Sequence, residues 1–344
     1  MPAMAHQSLY RRYRPSTFKD LVGQSQVTEP LMEQLKSGKV GHAYLFAGSR
    51  GLGKTSVARI FAKELKTHER DVYEIDAASN NSVDDIRALT EQVYTLPFAS
   101  PLKVYILDEA HMLSKGAWNA FLKTLEEPPA HAIFILATTE LEKVPDTVIS
   151  RCQVFEFKRP TREGLTKVVL NVAKKEEYTL EPAAAELIAL LADGSYRDAL
   201  SVLEKVLSSV SGNTVSLEDT EKATGAPKHA LVAALVASLS AGDTESSLAA
   251  IRTASSSEVD MQLFLALVLE NMRSVLLVRH APELAKALEK ELGEDVFSEV
   301  KALAQQKDSK LTHQVLRVWL DAASRMRFSP IPALPLELAV LELS

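Results

Sequence analysis

Apolar residues follow two textures along the chain. Up to about residue 159, short and almost continuously apolar runs alternate with helix-length amphipathic segments. The runs are AYLFA (43–47), VYEI (72–75), KVYIL (103–107), AIFILA (132–137) and QVFEF (153–157). Strands that are apolar on both faces need cover on both faces, so this pattern predicts a mostly parallel sheet between layers of helix. Beyond Pro160 the pattern gives no strand. Apolar positions there recur at helical spacing, interrupted by the turn signals DGSYRD, VSGNTVS and TGAPKH. The expectation is an α/β domain over 1–159, a small all-α domain over 160–226 and an all-α bundle over 227–344. The last apolar stretch, LPLELAVLEL, reads as a helix, so the chain is expected to end within structure.

The turn after the first run carries chemistry. Gly48-Ser49-Arg50-Gly51-Leu52-Gly53-Lys54-Thr55 fits G-x-x-x-x-G-K-[ST], follows an apolar strand and opens a helix that continues through Ser56. Glycines let the backbone wrap a polyphosphate with its N–H groups inward, and the helix N-terminus adds partial positive charge. Lys54 would then reach the β- and γ-phosphates, and the Thr55 hydroxyl would hold Mg²⁺. The plainer alternative is a glycine-rich turn with a solvated lysine. The third run ends in Asp108-Glu109, where a strand's C-terminal end enters the crevice that binds ligands in such sheets. Asp108 would stand over Mg²⁺ and Glu109 would polarise an attacking water; the alternative is an acidic loop start. The fourth run ends in Thr138-Thr139. Thr139 is the choice for holding the water or the γ-phosphate, with a capping role open for either. Before the fifth run, Arg151 lies between Ser150 and Cys152. It either caps the preceding turn or is aimed outside its own domain.

Composition narrows the class. The chain has 344 residues, 46% hydrophobic and 24% charged, with a net charge of −6. That balance is ordinary for a globular protein, and any nucleic-acid contact must come from a local basic face. A single cysteine excludes an internal disulfide and a multi-cysteine metal site, and fits a reducing compartment. The start, MPAMAHQSLYRRYRP, lacks the apolar core of a signal peptide, and no apolar run approaches the ~18 residues of a membrane span. A cytoplasmic protein with no membrane partner is expected.

Taken in order, RRYRPSTFKDLVGQ, HAYLFAGSRGLGKTS, EIDAAS, LDEAHMLS, LKTLEEPP, ATTELEKVPDTVISRCQVFEF and DGSYRDALS resemble the gamma/tau subunit family of the bacterial DNA polymerase III clamp loader, within the AAA+ ATPases. The likeness is specific to about residue 205 and compatible with the family from there on. It implies an AAA+ P-loop domain with a parallel sheet, an all-α lid and an all-α collar. It also implies an ATPase subunit that uses ATP and Mg²⁺ to load a sliding clamp onto primed DNA during replication. The implied partners are delta and delta-prime type subunits in a pentamer, the sliding clamp and primer-template DNA. Such a subunit belongs to a DNA-directed DNA polymerase holoenzyme without a polymerase active site of its own.

Residue by residue, the resemblance makes Arg151 similar to an arginine finger that reaches the ATP site of a neighbouring subunit. Arg197 resembles the arginine that senses the γ-phosphate within its own subunit. Tyr13, Arg14, Pro15, Val22 and Gly23 would line the adenine pocket, while Tyr13 and Phe18 could simply pin the N-terminal arm. Ser114 and Lys115, and more weakly Arg87, would meet DNA phosphate or stay solvated. Leu96-Pro97-Phe98 would touch the clamp or serve as a buried loop anchor. Two other classes stand beside this one. Another AAA+ DNA motor, such as an archaeal-type small clamp-loader subunit or a branch-migration ATPase, fits less well with Arg50-Gly51 and the N-terminal arm. A non-hydrolysing structural subunit of the delta-prime kind sits badly with intact Lys54, Thr55, Asp108 and Glu109.

The chain departs from the family in one segment. The family usually carries a four-cysteine zinc module between the phosphate-loop helix and the strand leading to EIDAAS. Here only THERD separates them, and neither isolated His68 nor Cys152 can build a tetrahedral site. The longer tau-type extension of the family is also expected to be absent. Chelation is therefore expected to leave the melting temperature unchanged and, with Mg²⁺ restored, any ATPase rate as well. Stoichiometric zinc in metal analysis of the purified chain would contradict this reading.

Overall fold

The computed structural model describes residues 7–257 and 259–343, so the first six residues of the N-terminal stretch read above lie outside the described residues. Two compact units are present. One takes the residues up to Val168 together with Ala192–Ser201, the other Val169–Leu191 together with the residues from Val202 onward.

In the first unit α1 (Leu9–Arg12) and α2 (Ser25–Ser37) precede β1 (Ala43–Ala47). They are followed by α3 (Lys54–Glu64), β2 (Val72–Asp76), α4 (Val83–Val93), β3 (Lys103–Asp108) and α5 (Lys115–Glu126). Then come β4 (Ala132–Thr138), the one-turn α6 (Asp146–Ile149) and β5 (Gln153–Glu156). The strands form one sheet in the order β2-β3-β4-β1-β5, every neighbouring pair parallel. All five apolar runs are strands. Along the central three, alternate side chains serve opposite faces. Leu45, Tyr105, Leu107 and Phe134 pack with Ile86, Trp118 and Phe121 of α4 and α5. Tyr44, Phe46, Ile106 and Ile135 pack with Val27, Leu31, Val57 and Phe61 of α2 and α3.

The outer strands correct the expectation of a buried fifth strand. β5 is an edge strand with Gln153, Val154 and Glu156 exposed, because it has β1 as its one neighbour. β2, at the other edge, is half-exposed. Just past β5 the buried side chain of Gln24 closes the edge. Its Nε2 donates to the Lys158 carbonyl at 2.8 Å, and its Oε1 accepts from the Lys158 N–H at 3.2 Å.

Past β5, α7 (Arg162–Lys175) crosses from the first unit into the second. The second unit continues with β6 (Thr179–Leu180) and α8 (Pro182–Leu191). Next is α9 (Tyr196–Ser209), whose start to Ser201 belongs to the first unit. Then follow β7 (Thr214–Val215), α10 (Leu217–Thr224), α11 (His229–Ala241), α12 (Thr244–Ser256), α13 (Met261–His280), α14 (Ala285–Leu292), α15 (Glu294–Ala304), α16 (His313–Met326) and α17 (Leu334–Glu342). The pattern missed β6 and β7, a two-residue parallel pair too short to show an alternation. The LPLELAVLEL stretch is helical, as expected.

α13 qualifies the expectation about long apolar segments. By length and a mean hydropathy of 1.6 it could cross a membrane. Its Phe264, Leu265, Val268, Met272 and Val275 instead fill the core of the second unit with Trp319 and Leu336. Its polar side carries the Glu270–Arg273 pair. Arg279, the penultimate residue of the helix, donates to the carbonyls of Leu303, Ala304 and Leu311. The first two are orphan acceptors at the C-terminus of α15, and Leu311 lies in the loop that follows it.

The connection from α4 to β3 is organised by a buried carboxylate. Asp71 accepts from the N–H groups of Phe98, Ala99 and Ser100 at 2.5, 2.8 and 2.9 Å, and from Ser100 Oγ at 2.7 Å. The loop is thus anchored through its backbone. Leu96 and Phe98 are 81% and 69% exposed, which overturns the alternative of a buried apolar anchor, and the Arg70 guanidinium lies 5.0 Å from the Phe98 ring. Burial alone would raise the Asp71 pKa, but the hydrogen bonds outweigh it and hold the carboxyl far below the usual range. The resulting stabilisation is complete above the ordinary aspartate range near pH 4 and is lost as pH falls through the depressed value. Asp71→Ala is expected to cost roughly 2–4 kcal/mol at neutral pH. Urea melts should show the gap to the parent chain narrowing on acidification; a gap independent of pH would contradict the ionised clamp.

Candidate functional site

The sheet order sets up the site. β1 lies beside β4 although α3, β2, α4, β3 and α5 intervene in sequence, so the C-terminal ends of β1, β3 and β4 meet at one edge. The loop from β1 to α3 leaves there. Gly48 (φ +145°) and Gly51 (φ +77°) have backbones that L side chains rarely adopt. A Cβ at Gly48 would sit 2.6 Å from the Phe157 carbonyl oxygen, and one at Gly51 would sit 2.0 Å from Ser195 Oγ. α3 opens on Gly53, which supplies no capping side chain, so the first-turn N–H groups remain for another acceptor.

Lys54 is buried beneath this loop. Its Nζ donates to the carbonyls of Gly48 (2.6 Å) and Ser49 (2.9 Å). Burial pushes its pKa down, against the pull of Glu109 and Asp108. Thr55 Oγ1 donates to Asp108 Oδ2 at 2.8 Å, which joins the helix start to the end of β3. Glu109 follows in a left-handed backbone conformation (φ +49°), which is unusual for a non-glycine residue and costs on the order of 1–3 kcal/mol. Its Oε2 accepts from Thr139 Oγ1 at 3.1 Å. Thr138 has a different task. Its hydroxyl accepts from the Glu140 N–H at 3.0 Å and lies 3.1 Å from His111 Nδ1. His111 Nε2 is 3.2 Å from Glu140 Oε1, so a buried imidazole ties the end of β4 to the turn after β3.

These groups border a cleft of about 650 Å³ within the first unit. Tyr13, Arg14, Pro15 and Val22 line one side and Arg50 to Ser56 another, with Asp108, Glu109 and Arg197 completing the wall. Arg14 Nε donates to Ser56 Oγ at 2.9 Å, and burial followed by the nearby Arg59 charge lowers the Arg14 pKa. Gly23 stands behind the wall, where its left-handed backbone leaves room for Tyr196, whose hydroxyl donates to the Val22 carbonyl at 2.6 Å. Arg197 lies 4.8 Å from the Tyr10 ring.

Other predicted residues lie elsewhere. Arg151 is outside the cleft, with Nη1 donating to the Thr147 carbonyl at 2.6 Å and Nη2 to the Glu126 carboxylate. Ser114 caps α5, accepting from the Ala117 N–H at 3.2 Å. Lys115 and Arg87 are exposed, and Arg87 is 3.5 Å from Asp84. Sequence reasoning missed Tyr10, Arg59, Glu74 and Tyr196, all of which line the cleft. Arg59 had a signal, since it follows Thr55 by one helical turn. Its pairing with Glu74, two bonds of 2.7 Å, depends on the register of β2 and had none.

Known proteins match most of the chain. A family model described as DNA polymerase III, delta subunit, matches residues 23–81 and 66–161. The DNA polymerase III clamp loader subunit ATPase lid domain matches 166–212, and DNA polymerase III subunits gamma and tau domain III matches 215–344. The Buchnera aphidicola (Schizaphis graminum) protein named DNA polymerase III subunit gamma is 32% identical over 98% of each chain. The chain belongs to the DNA polymerase III gamma/tau family. Among other gamma/tau relatives, the Bacillus subtilis protein named DNA polymerase III subunit tau is 38% identical over 99% of this chain. This chain spans 63% of that relative's length and 34% of the Mycoplasma pneumoniae subunit gamma/tau. Among solved structures, the Thermotoga maritima RuvB Holliday junction branch migration motor aligns with a TM-score of 0.54 over 89% of this chain and 97% of its own. At 19% identity that likeness speaks for the AAA+ fold alone.

Proposed function

We propose that this gamma/tau family chain is an ATPase subunit of a DNA polymerase III clamp loader, which uses ATP binding and hydrolysis to load a sliding clamp onto primed DNA. The observation that carries the reading is the convergence of buried Lys54, the Thr55–Asp108 pair and the Thr139–Glu109 pair at one sheet edge. The loop fits a polyphosphate because Gly48 and Gly51 leave no room for side chains and the helix start is uncapped. Gly48 to Ser56 would cradle the phosphates, with Lys54 exchanging its two carbonyl partners for β- and γ-oxygens. Thr55 and Asp108 would hold Mg²⁺, which supplies charge neutralisation at the phosphate oxygens. Glu109 would orient the attacking water and draw its proton, its carboxylate steered by Thr139. Tyr13, Arg14, Pro15 and Val22 would receive the adenine, with Gly23 behind them making room for Tyr196, and Arg197 would sense the γ-phosphate.

The same reading divides the chain into a nucleotide domain (1–159), a lid (160–226) and a collar (227–344). It gives the chain delta and delta-prime type partners in a pentamer, within a cytoplasmic polymerase holoenzyme whose polymerase site lies in another subunit. Ser114, Lys115 and Arg87 would meet DNA phosphate, and exposed Leu96 and Phe98 would meet the clamp. The branch-migration and archaeal-type readings lose support because the relatives close in sequence carry gamma and tau names. The non-hydrolysing reading does not fit a complete set of Lys54, Thr55, Asp108 and Glu109.

Two substitutions separate the roles. Glu109→Gln is expected to keep ATP affinity in calorimetry while turnover falls about 100-fold or more, whereas Lys54→Ala should lose the affinity itself. Turnover within a few-fold of the parent would remove Glu109 from the chemistry.

Arg151→Ala should leave ATP affinity of the isolated chain intact, since the residue stands outside the chain's own cleft. In the assembled complex, turnover stimulated by clamp and primed DNA should fall by about 10³-fold or more. Equal loss of ATP affinity in the isolated chain would point to a role within one subunit.

A further inference from the structure

The side chain of Arg151 is held at both ends. Its backbone leaves the one-turn α6, where Val148 is buried and Ile149 and Cys152 pack against the same core as α5. Burial pushes the Cys152 thiol up to about 12, so the neighbour of Arg151 is an inert anchor and not a reactive group. At the far end, Nη1 donates to the Thr147 carbonyl and to Ser150 Oγ, and Nη2 donates to Glu126. Glu126 is the last residue of α5, and Pro128-Pro129 keep the helix from running further. α5 is itself fixed under the sheet by Trp118, Phe121 and Leu125. A carboxylate on one rigid element thus sets the direction of a guanidinium on another.

We propose that Glu126 is a positioning residue for Arg151, holding the guanidinium outward and ready for the phosphate of a neighbouring subunit. The proposal rests on Arg151 acting in trans, as read above. A guanidinium has five donor hydrogens, and the contacts described use three. Nε–H and one hydrogen of Nη2 remain for phosphate oxygens. An arginine otherwise loses much rotamer freedom on docking, and ordering it beforehand removes that cost from the encounter. The pair is partly exposed, 34% for Arg151 and 47% for Glu126, and exposed pairs add little to stability. The effect should therefore appear in the rate of the assembled machine and not in the melting of the chain.

The test is Glu126→Gln, alone and combined with Arg151→Ala, in the complex with its partner subunits, clamp and primed DNA at saturating ATP. Stimulated kcat should fall on the order of tenfold, with the KM for ATP within about twofold of the parent. The melting temperature and calorimetric ATP affinity of the isolated chain should not change. Against the Arg151→Ala background, Glu126→Gln should cause no further loss, because a positioning residue has nothing left to position. A loss of the same size in that background, or an unchanged or raised kcat for Glu126→Gln alone, overturns the proposal. Full stimulated turnover in Arg151→Ala overturns the trans reading beneath it, whereas a loss there with none in Glu126→Gln overturns the role of Glu126 alone.

Discussion

Parallel pairing of β1 with β4 is the constraint on which the site depends. A parallel ladder puts every strand's C-terminal end on the same side of the sheet, and the 2-3-4-1-5 order brings distant parts of the chain together there. The carbonyl of Thr138 accepts from the Gly48 N–H at 3.2 Å, so the end of β4 fastens the first residue of the phosphate loop. Asp108 lies one strand further on and accepts from Thr55. None of the groups proposed for catalysis need be placed by a flexible loop of its own. Each rides on a strand end or a helix start whose position is fixed by core packing on both faces of the sheet.

The cleft gathers cationic side chains in a protein that is acidic as a whole. The chain has a net charge of −6, yet Arg14, Arg50, Lys54, Arg59 and Arg197 all border one cavity. Glu74, Asp108 and Glu109 border it as well, so its field is structured and not uniformly positive. Lys54 is buried and finds its partners in backbone carbonyls. Arg59 is balanced by Glu74. Lys54 and Arg59 are thus held in place by groups of the chain itself, which is the arrangement that makes electrostatic stabilisation effective.

What could be read from the sequence was what is encoded locally. Central strands announce themselves because both faces are apolar, and the phosphate loop because its glycines, lysine and threonine are contiguous. QVFEF has much the same apolar look, and nothing in five residues says that its far side has no neighbour. β6 and β7 escaped for want of length. The Asp71 clamp joins residues in a short turn to backbone groups beyond α4, and backbone donors leave no mark in a sequence. The contacts of Arg151 with Thr147 and Ser150 are short-range, but its link to Glu126 needs α5 and α6 packed side by side. Pairings of this kind follow from tertiary structure, not from composition or period.

The amide of Gln24 has a meaning beyond local satisfaction of hydrogen bonds. A strand at the margin of a sheet offers unpaired N–H and C=O groups to any other strand, including one from a second molecule. Gln24 meets the Lys158 N–H and C=O with its own acceptor and donor, as a residue of an adjoining strand would. Gln153 and Glu156 flank exposed Val154 with polar side chains, and Pro160 follows two residues after Lys158. One side chain thus takes the place of an intruding strand. At this point the margin of the sheet is closed to a strand from another chain.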